Sequence, residues 1–181
     1  MKDASKFSRP LLFVDVDGVI STYGFAANRE VPSGTRPIGG AAIDGGGTFH
    51  NVEGVIHHIG HGMSARMLSV LPHFEAVWAT GWGSRANDHL VHLLSLPEQL
   101  EVVEFAVAPS SDGSGHWKLD ALTARAAGRA AAWIDDGFND ACFEWAAERV
   151  DPTLLIGTDP AVGWTDSHVD ELIAWADALA R

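Results

Sequence analysis

The stretch Leu11-Leu12-Phe13-Val14-Asp15-Val16-Asp17-Gly18-Val19-Ile20 constrains this chain more than any other. Its apolar first half reads as a strand over 11–16, buried on both faces as in the middle of a parallel sheet. Two carboxylates separated by one residue follow directly, and burying them is costly unless something pairs with them. Because strand side chains alternate, Asp15 and Asp17 would share a face if the strand ran on, and Gly18 lets the chain turn away there. Both acids then fall at the carboxyl end of the strand, where open α/β sheets build their sites. Two anions this close attract a hard divalent cation, for which Mg²⁺ is the natural candidate. The competing reading is a solvated strand end with two surface acids.

Downstream, the pattern alternates between strand and helix. The predicted strands lie over 75–80, 102–107, 130–136 and 153–156. The predicted helices lie over 63–74, from Ser84 to about Leu94, from Lys118 to Gly128, over 138–148, and from about Asp166 onward. Such alternation predicts an α/β chain with a three-layer, Rossmann-like parallel sheet, organised as a single domain over 1–181. Residues 21–62 interrupt it. Ten of the nineteen glycines fall there, with Pro32 and Pro37 and few large aliphatics. That composition predicts loops and hairpins, with 48–55 as one strand or a tight hairpin, forming a small flap over the end of the first strand.

Charge narrows the function classes. A net charge of −12 argues against a broad nucleic-acid-binding surface, which needs clustered Lys and Arg, although it leaves room for a local phosphate pocket. Of three lysines, Lys2 and Lys6 lie in a loose leader, so Lys118 is the one expected in the folded body. The one cysteine, Cys142, permits no internal disulfide. No segment reads as a membrane span or signal peptide, which makes the cytoplasm the expected location.

Three predicted strands end in polar residues that converge if the sheet is parallel: Asp15 and Asp17, then Thr80-Gly81, then Asp135 and Asp136. Lys118 opens a helix toward the same edge. Phosphoryl transfer uses this inventory. A carboxylate attacks phosphorus, cations neutralise the phosphoryl oxygens, a hydroxyl and backbone N–H groups hold them, and a second acid protonates the leaving group.

These residues, in this order, resemble the motifs of the haloacid-dehalogenase-like (HAD) superfamily of phosphohydrolases: Asp15-Val16-Asp17-Gly18-Val19, Thr80, Lys118 and Asp135-Asp136. The likeness spans about 11–157. Trp78-Ala79-Thr80-Gly81-Trp82, Trp117-Lys118-Leu119, Trp133-Ile134-Asp135-Asp136 and Thr158-Asp159-Pro160-Ala161-Val162-Gly163 look more narrowly like actinobacterial HAD domains grouped with RNA-repair proteins. The resemblance implies an Mg²⁺-dependent phosphomonoesterase working through an aspartyl-phosphate. Asp15 would be the nucleophile and Asp17 the general acid and base. Thr80, the Gly81 N–H and Lys118 would hold the phosphate. The metal would be bound by Asp15, the Asp17 carbonyl and Asp136, with Asp135 or Asp140 acting through water. A small flap would leave the site open to a small-molecule phosphate or a nucleic-acid terminal phosphate.

Other readings stand beside this one. A phospho-accepting signalling module also uses acids, a Thr and a Lys, but its phosphorylated Asp precedes the Thr on a middle strand. A metal-dependent nuclease has no special need for Thr80 followed by Lys118, and a silent binding module has no need for the full set. His50, His57, His58 and His61 raise the question of a zinc site, although their spacing suits none well. Trp82 and Trp117 could stack a base, and Arg29, Arg36 and Arg85 could meet a second phosphate.

Overall fold

A computed structural model of the chain describes residues 9–23, 46–106 and 116–181. The elements run β1 (Leu11–Val14), β2 (Ser21–Thr22), β3 (Gly47–Val52), β4 (Val55–Gly60), α1 (Met63–Val70), β5 (Glu75–Trp78), α2 (Arg85–Leu93), β6 (Glu101–Val102), α3 (Leu119–Arg125), β7 (Ala131–Asp135), α4 (Asp140–Glu148), β8 (Thr153–Gly157) and α5 (Asp166–Leu179). Lys2, Lys6, Arg29, Arg36, most of the glycine-rich stretch and the loop expected over 110–115 lie outside the described residues.

β1 is central because its sequence suits no other place. Leu11, Leu12, Phe13 and Val14 are all completely buried, and each such side chain contributes roughly 1.5–3 kcal/mol. Strand alternation sends Leu12 and Val14 into one apolar cluster and Leu11 and Phe13 into another. Helices α1, α2 and α5 cover the first through Met63, Met67, Leu90 and Leu172. Helices α3 and α4 cover the second through Leu122 and Cys142. The result is an α/β, broadly Rossmann-like architecture, a five-stranded parallel sheet in the order β6-β5-β1-β7-β8 with helices on both faces. After β1 the chain fills one side of the sheet and then returns to fill the other. The carboxyl end of β1 is therefore where the strand order reverses.

Part of the glycine-rich insert is ordered as a three-stranded antiparallel sheet, β2-β4-β3. The segment expected as one strand or a hairpin is a hairpin. Val52 pairs with Val55 across Glu53 and Gly54, whose φ angles of 52° and 87° suit a tight two-residue turn.

Several boundaries differ from expectation. The third parallel strand was expected over 102–107, but among the described residues pairing is confined to Glu101–Val102, because its neighbour β5 ends at Trp78. β1 stops at Val14, so Asp15 begins the loop. Leu68, expected on the buried face of α1, is 38 % exposed, while Val70 is buried in its place. Ser84 precedes α2 without a side-chain cap. No helix among the described residues is long and apolar enough to cross a membrane.

Candidate active site

The register of the sheet assembles the site. Asp15 N donates to the Ile134 carbonyl at 3.1 Å and Ala79 N to that of Val14 at 2.8 Å, so the exits of β1, β5 and β7 lie side by side. Lys118 immediately precedes α3, and its Nζ reaches between the exits of β1 and β7, 2.8 Å from Asp15 Oδ2 and 2.6 Å from Asp135 Oδ2. All three side chains are nearly inaccessible to solvent. The one lysine expected in the folded body is thus a buried cation with two carboxylate partners.

The paired acids at the end of β7 do different work. Asp135 is fully committed. Its Oδ2 accepts from Lys118 Nζ and from Trp133 Nε1 at 3.0 Å, and its Oδ1 from Gly137 N at 3.0 Å. Asp136 is half-buried, and its Oδ2 accepts from the Tyr23 hydroxyl. Neither caps α4, because Asn139 does so by accepting from Cys142 N at 3.3 Å. Gly18, at φ 75°, lies against the Asp136 carboxyl, and a side chain there would collide with it.

Asp15 and Asp17 also separate. Asp15 Oδ1 accepts from Val16 N at 2.7 Å, so both its oxygens are held. Asp17 is half exposed and turned to one side. Its Oδ2 accepts from Trp82 Nε1 at 2.9 Å, and His57 Nδ1 stands 3.8 Å from Oδ1. Thr80, 1 % exposed, accepts a 3.3 Å hydrogen bond from Trp82 N, and Gly81 follows it at the same edge.

The electrostatics follow from burial. Desolvation pushes the Asp15 carboxyl well above its ordinary range, opposed by the Lys118 ammonium and reinforced by Asp135. Burial works to lower Lys118, but the two carboxylates outweigh it and its pKa is raised. Burial also raises Asp136, against the Tyr23 hydrogen bond. Two carboxylates, Asp15 and Asp135, thus contact one ammonium, with Asp136 beside them. Ligand atoms of Asp15, Asp135 and Asp136 lie within 4.8 Å of one another, the only such group among the described residues. Hard, closely spaced oxygens in anionic excess fit a Mg²⁺-like cation. Asp140 stands exposed in the first turn of α4, outside that group.

No model of a known protein family matches the chain, and neither does any curated protein.

The histidines form no metal-ligand group among the described residues. His57 and His58 point to opposite faces of β4 and engage separate hydroxyls, Ser21 Oγ at 2.8 Å and Thr22 Oγ1 at 2.7 Å. Burial lowers the pKa of both. Trp117 packs edge-on against Phe105 at 4.6 Å, whereas Trp82 lines a cavity with Tyr23 and Phe49. Arg85 pairs with Glu53 at 2.6 Å, joining the hairpin turn to the start of α2. Tyr23 was missed by the sequence reading, and a single tyrosine in a glycine-rich stretch carries no local signal that would have revealed it.

Proposed function

We propose that this protein is a HAD-type, Mg²⁺-dependent phosphomonoesterase. One observation carries the reading: a buried lysine bridges the acid that follows β1 and the acid that ends β7, at the edge where the buried Thr80 also lies. A structural ion pair would need one acid, and the remaining negative charge calls for a cation, beside which a phosphoryl group could then be held.

Asp15 attacks phosphorus, forming an aspartyl-phosphate as the bond to the leaving oxygen breaks. Asp17, free to face solvent, gives that oxygen its proton, then takes one from the water that attacks the phosphorus. Cleavage of the aspartyl P–O bond restores Asp15 and releases inorganic phosphate. Lys118 balances charge on Asp15 and the phosphoryl oxygens, while the Thr80 hydroxyl and Gly81 N–H hold those oxygens. Asp15, Asp136 and the Asp17 carbonyl would hold Mg²⁺. Asp135 would act through water, since three hydrogen bonds already occupy its carboxylate. The bound ion supplies Lewis-acid neutralisation of the phosphoryl group.

Hydrolysis of p-nitrophenyl phosphate with Mg²⁺ and with EDTA tests this directly. Asp15→Asn is expected to abolish turnover, and quenched wild-type reactions are expected to carry phosphate on the peptide containing Asp15. Turnover by Asp15→Asn near the wild-type rate would sink the covalent mechanism. Preference for bis(p-nitrophenyl) phosphate would favour a nuclease instead.

A further inference from the structure

The β2-β4-β3 sheet and the turn after β5 enclose a cavity of about 600 Å³ that opens beside Asp17 and Gly81. Its size suits a small organic ligand rather than a phosphate alone. Its walls are aromatic, from Tyr23, Phe49 and Trp82, with Val52, Val55 and Ile56 between them. Polar groups gather at two places. Asp17, His57 and Ser21 form a linked set next to the acid cluster, and the Glu53–Arg85 pair stands at the hairpin tip with about half of each side chain exposed.

We propose that this cavity receives the leaving group of the phosphomonoester, and that this group is a planar, base-bearing one of nucleoside size; the substrate is then a nucleoside monophosphate. The assignment rests on the phosphohydrolase reading. Aromatic walls are best covered by a flat π-face, with stacking worth roughly 1–3 kcal/mol per base. A sugar phosphate would leave those walls bare. An alkyl phosphate would make no use of the donors and acceptors that Arg85 and Glu53 do not spend on each other.

Trp82 is already fixed in place. Its Nε1 donates to Asp17, and the rings of His57 and His89 pack edge-on against it at 4.7 and 6.4 Å. A wall ordered in advance loses little freedom on binding. The same indole therefore holds the general acid with its N–H and lines the leaving-group cavity with its ring. Net charge selects the monomer over the polymer. Every further phosphate of an oligonucleotide would approach a chain of net charge −12.

Binding can be measured without turnover. Adenosine, guanosine, cytidine and uridine, which carry no phosphate, are titrated calorimetrically into wild type, Phe49→Ala and Trp82→Leu. At least one nucleoside is expected to bind saturably, and each substitution to weaken it about tenfold or more. Retention of the Mg²⁺-induced rise in melting temperature shows that the variants are folded. In parallel, kcat/KM for the matching nucleoside monophosphate is expected to exceed that for ribose 5-phosphate and hexyl phosphate by about tenfold or more. Absence of nucleoside binding, or equal kcat/KM for the three esters, overturns the cavity assignment while p-nitrophenyl phosphate hydrolysis keeps the phosphohydrolase reading. Nucleoside binding with no hydrolysis of any monoester overturns the link between this cavity and the acid cluster.

Discussion

The two ends of the five-stranded sheet use the same kinds of charged side chain in opposite balance. At the amino end, Glu75 opens β5 and meets Arg125 at 2.6 Å and Arg129 at 2.7 Å, while Arg125 also reaches Glu101 at 2.6 Å. Two guanidinium groups serve two carboxylates, all partly solvated. At the carboxyl end, Asp15 and Asp135 share one ammonium with Asp136 beside them, and Asp15, Asp135 and Lys118 are nearly dry. The protonation responses are opposite too. The Arg129 and then Arg125 hydrogen bonds hold Glu75 down at about 2, whereas burial drives Asp15 up. One end completes itself with side chains. The other gathers more carboxylates than cations among the described residues, which is the imbalance from which the proposed ligand site is argued.

The largest effect that would sharpen this contrast is on Lys118. Lys118→Met strands two buried carboxylates and is expected to cost about 3–5 kcal/mol in chemical denaturation with EDTA present. A loss no greater than that of Arg125→Met would break the comparison, since it would mean the carboxyl end also balances itself without its one cation.

Next comes the response to metal. Mg²⁺ at about a hundred times its Kd is expected to add roughly 2.7 kcal/mol, or about 5–10 °C in Tm for a chain of this length. Asp136→Ala should remove most of that rise, and Asp140→Ala should leave it, because Asp140 stands outside the cluster. Should Asp135→Ala prove the more damaging change to the Mg²⁺ response, the roles of the two adjacent acids are reversed.

At the amino end the expected effect is smaller. Glu75→Gln keeps the shape but loses charge-assisted bonds, and its exposure limits the cost to about 1 kcal/mol or less. The Mg²⁺ shift should be unaltered. A changed shift would show that the two ends are coupled.

The smallest effect is its pH dependence. Because Glu75 is held near 2 in the folded chain against an ordinary value of 4.5, its contribution is present above about 4.5 and is lost as pH falls toward 2. The stability difference between wild type and Glu75→Gln should therefore shrink across that window. A difference that stays constant would mean that packing, not charge, holds this end.

Local patterns carried much of this molecule. The unbroken run Leu11–Val14 could sit only where both faces are covered, so its central place in a parallel sheet was readable from four residues. The order Asp15, Asp17, Thr80, Lys118, Asp135, Asp136 placed each chemical group at an element boundary, because alternating apolar periods mark those boundaries on their own. What periodicity cannot encode is who meets whom across the chain. Residues 102–107 look like a strand, yet a strand pairs only as far as its neighbour offers backbone groups, and β5 ends at Trp78. Leu68 shares an apolar helical face with Met63 and Met67, but the core covers less of α1 than that face provides. Asp135 and Asp136 are indistinguishable in sequence. Lys118, seventeen positions away, takes the first, and Tyr23, 113 positions away, takes the second. Trp82 reaches Asp17 across 65 positions, and the cavity it lines exists only once the β3-β4 hairpin meets the turn after β5. Such contacts are set by strand order, crossover and the path of the insert, which bring together residues that share no local period.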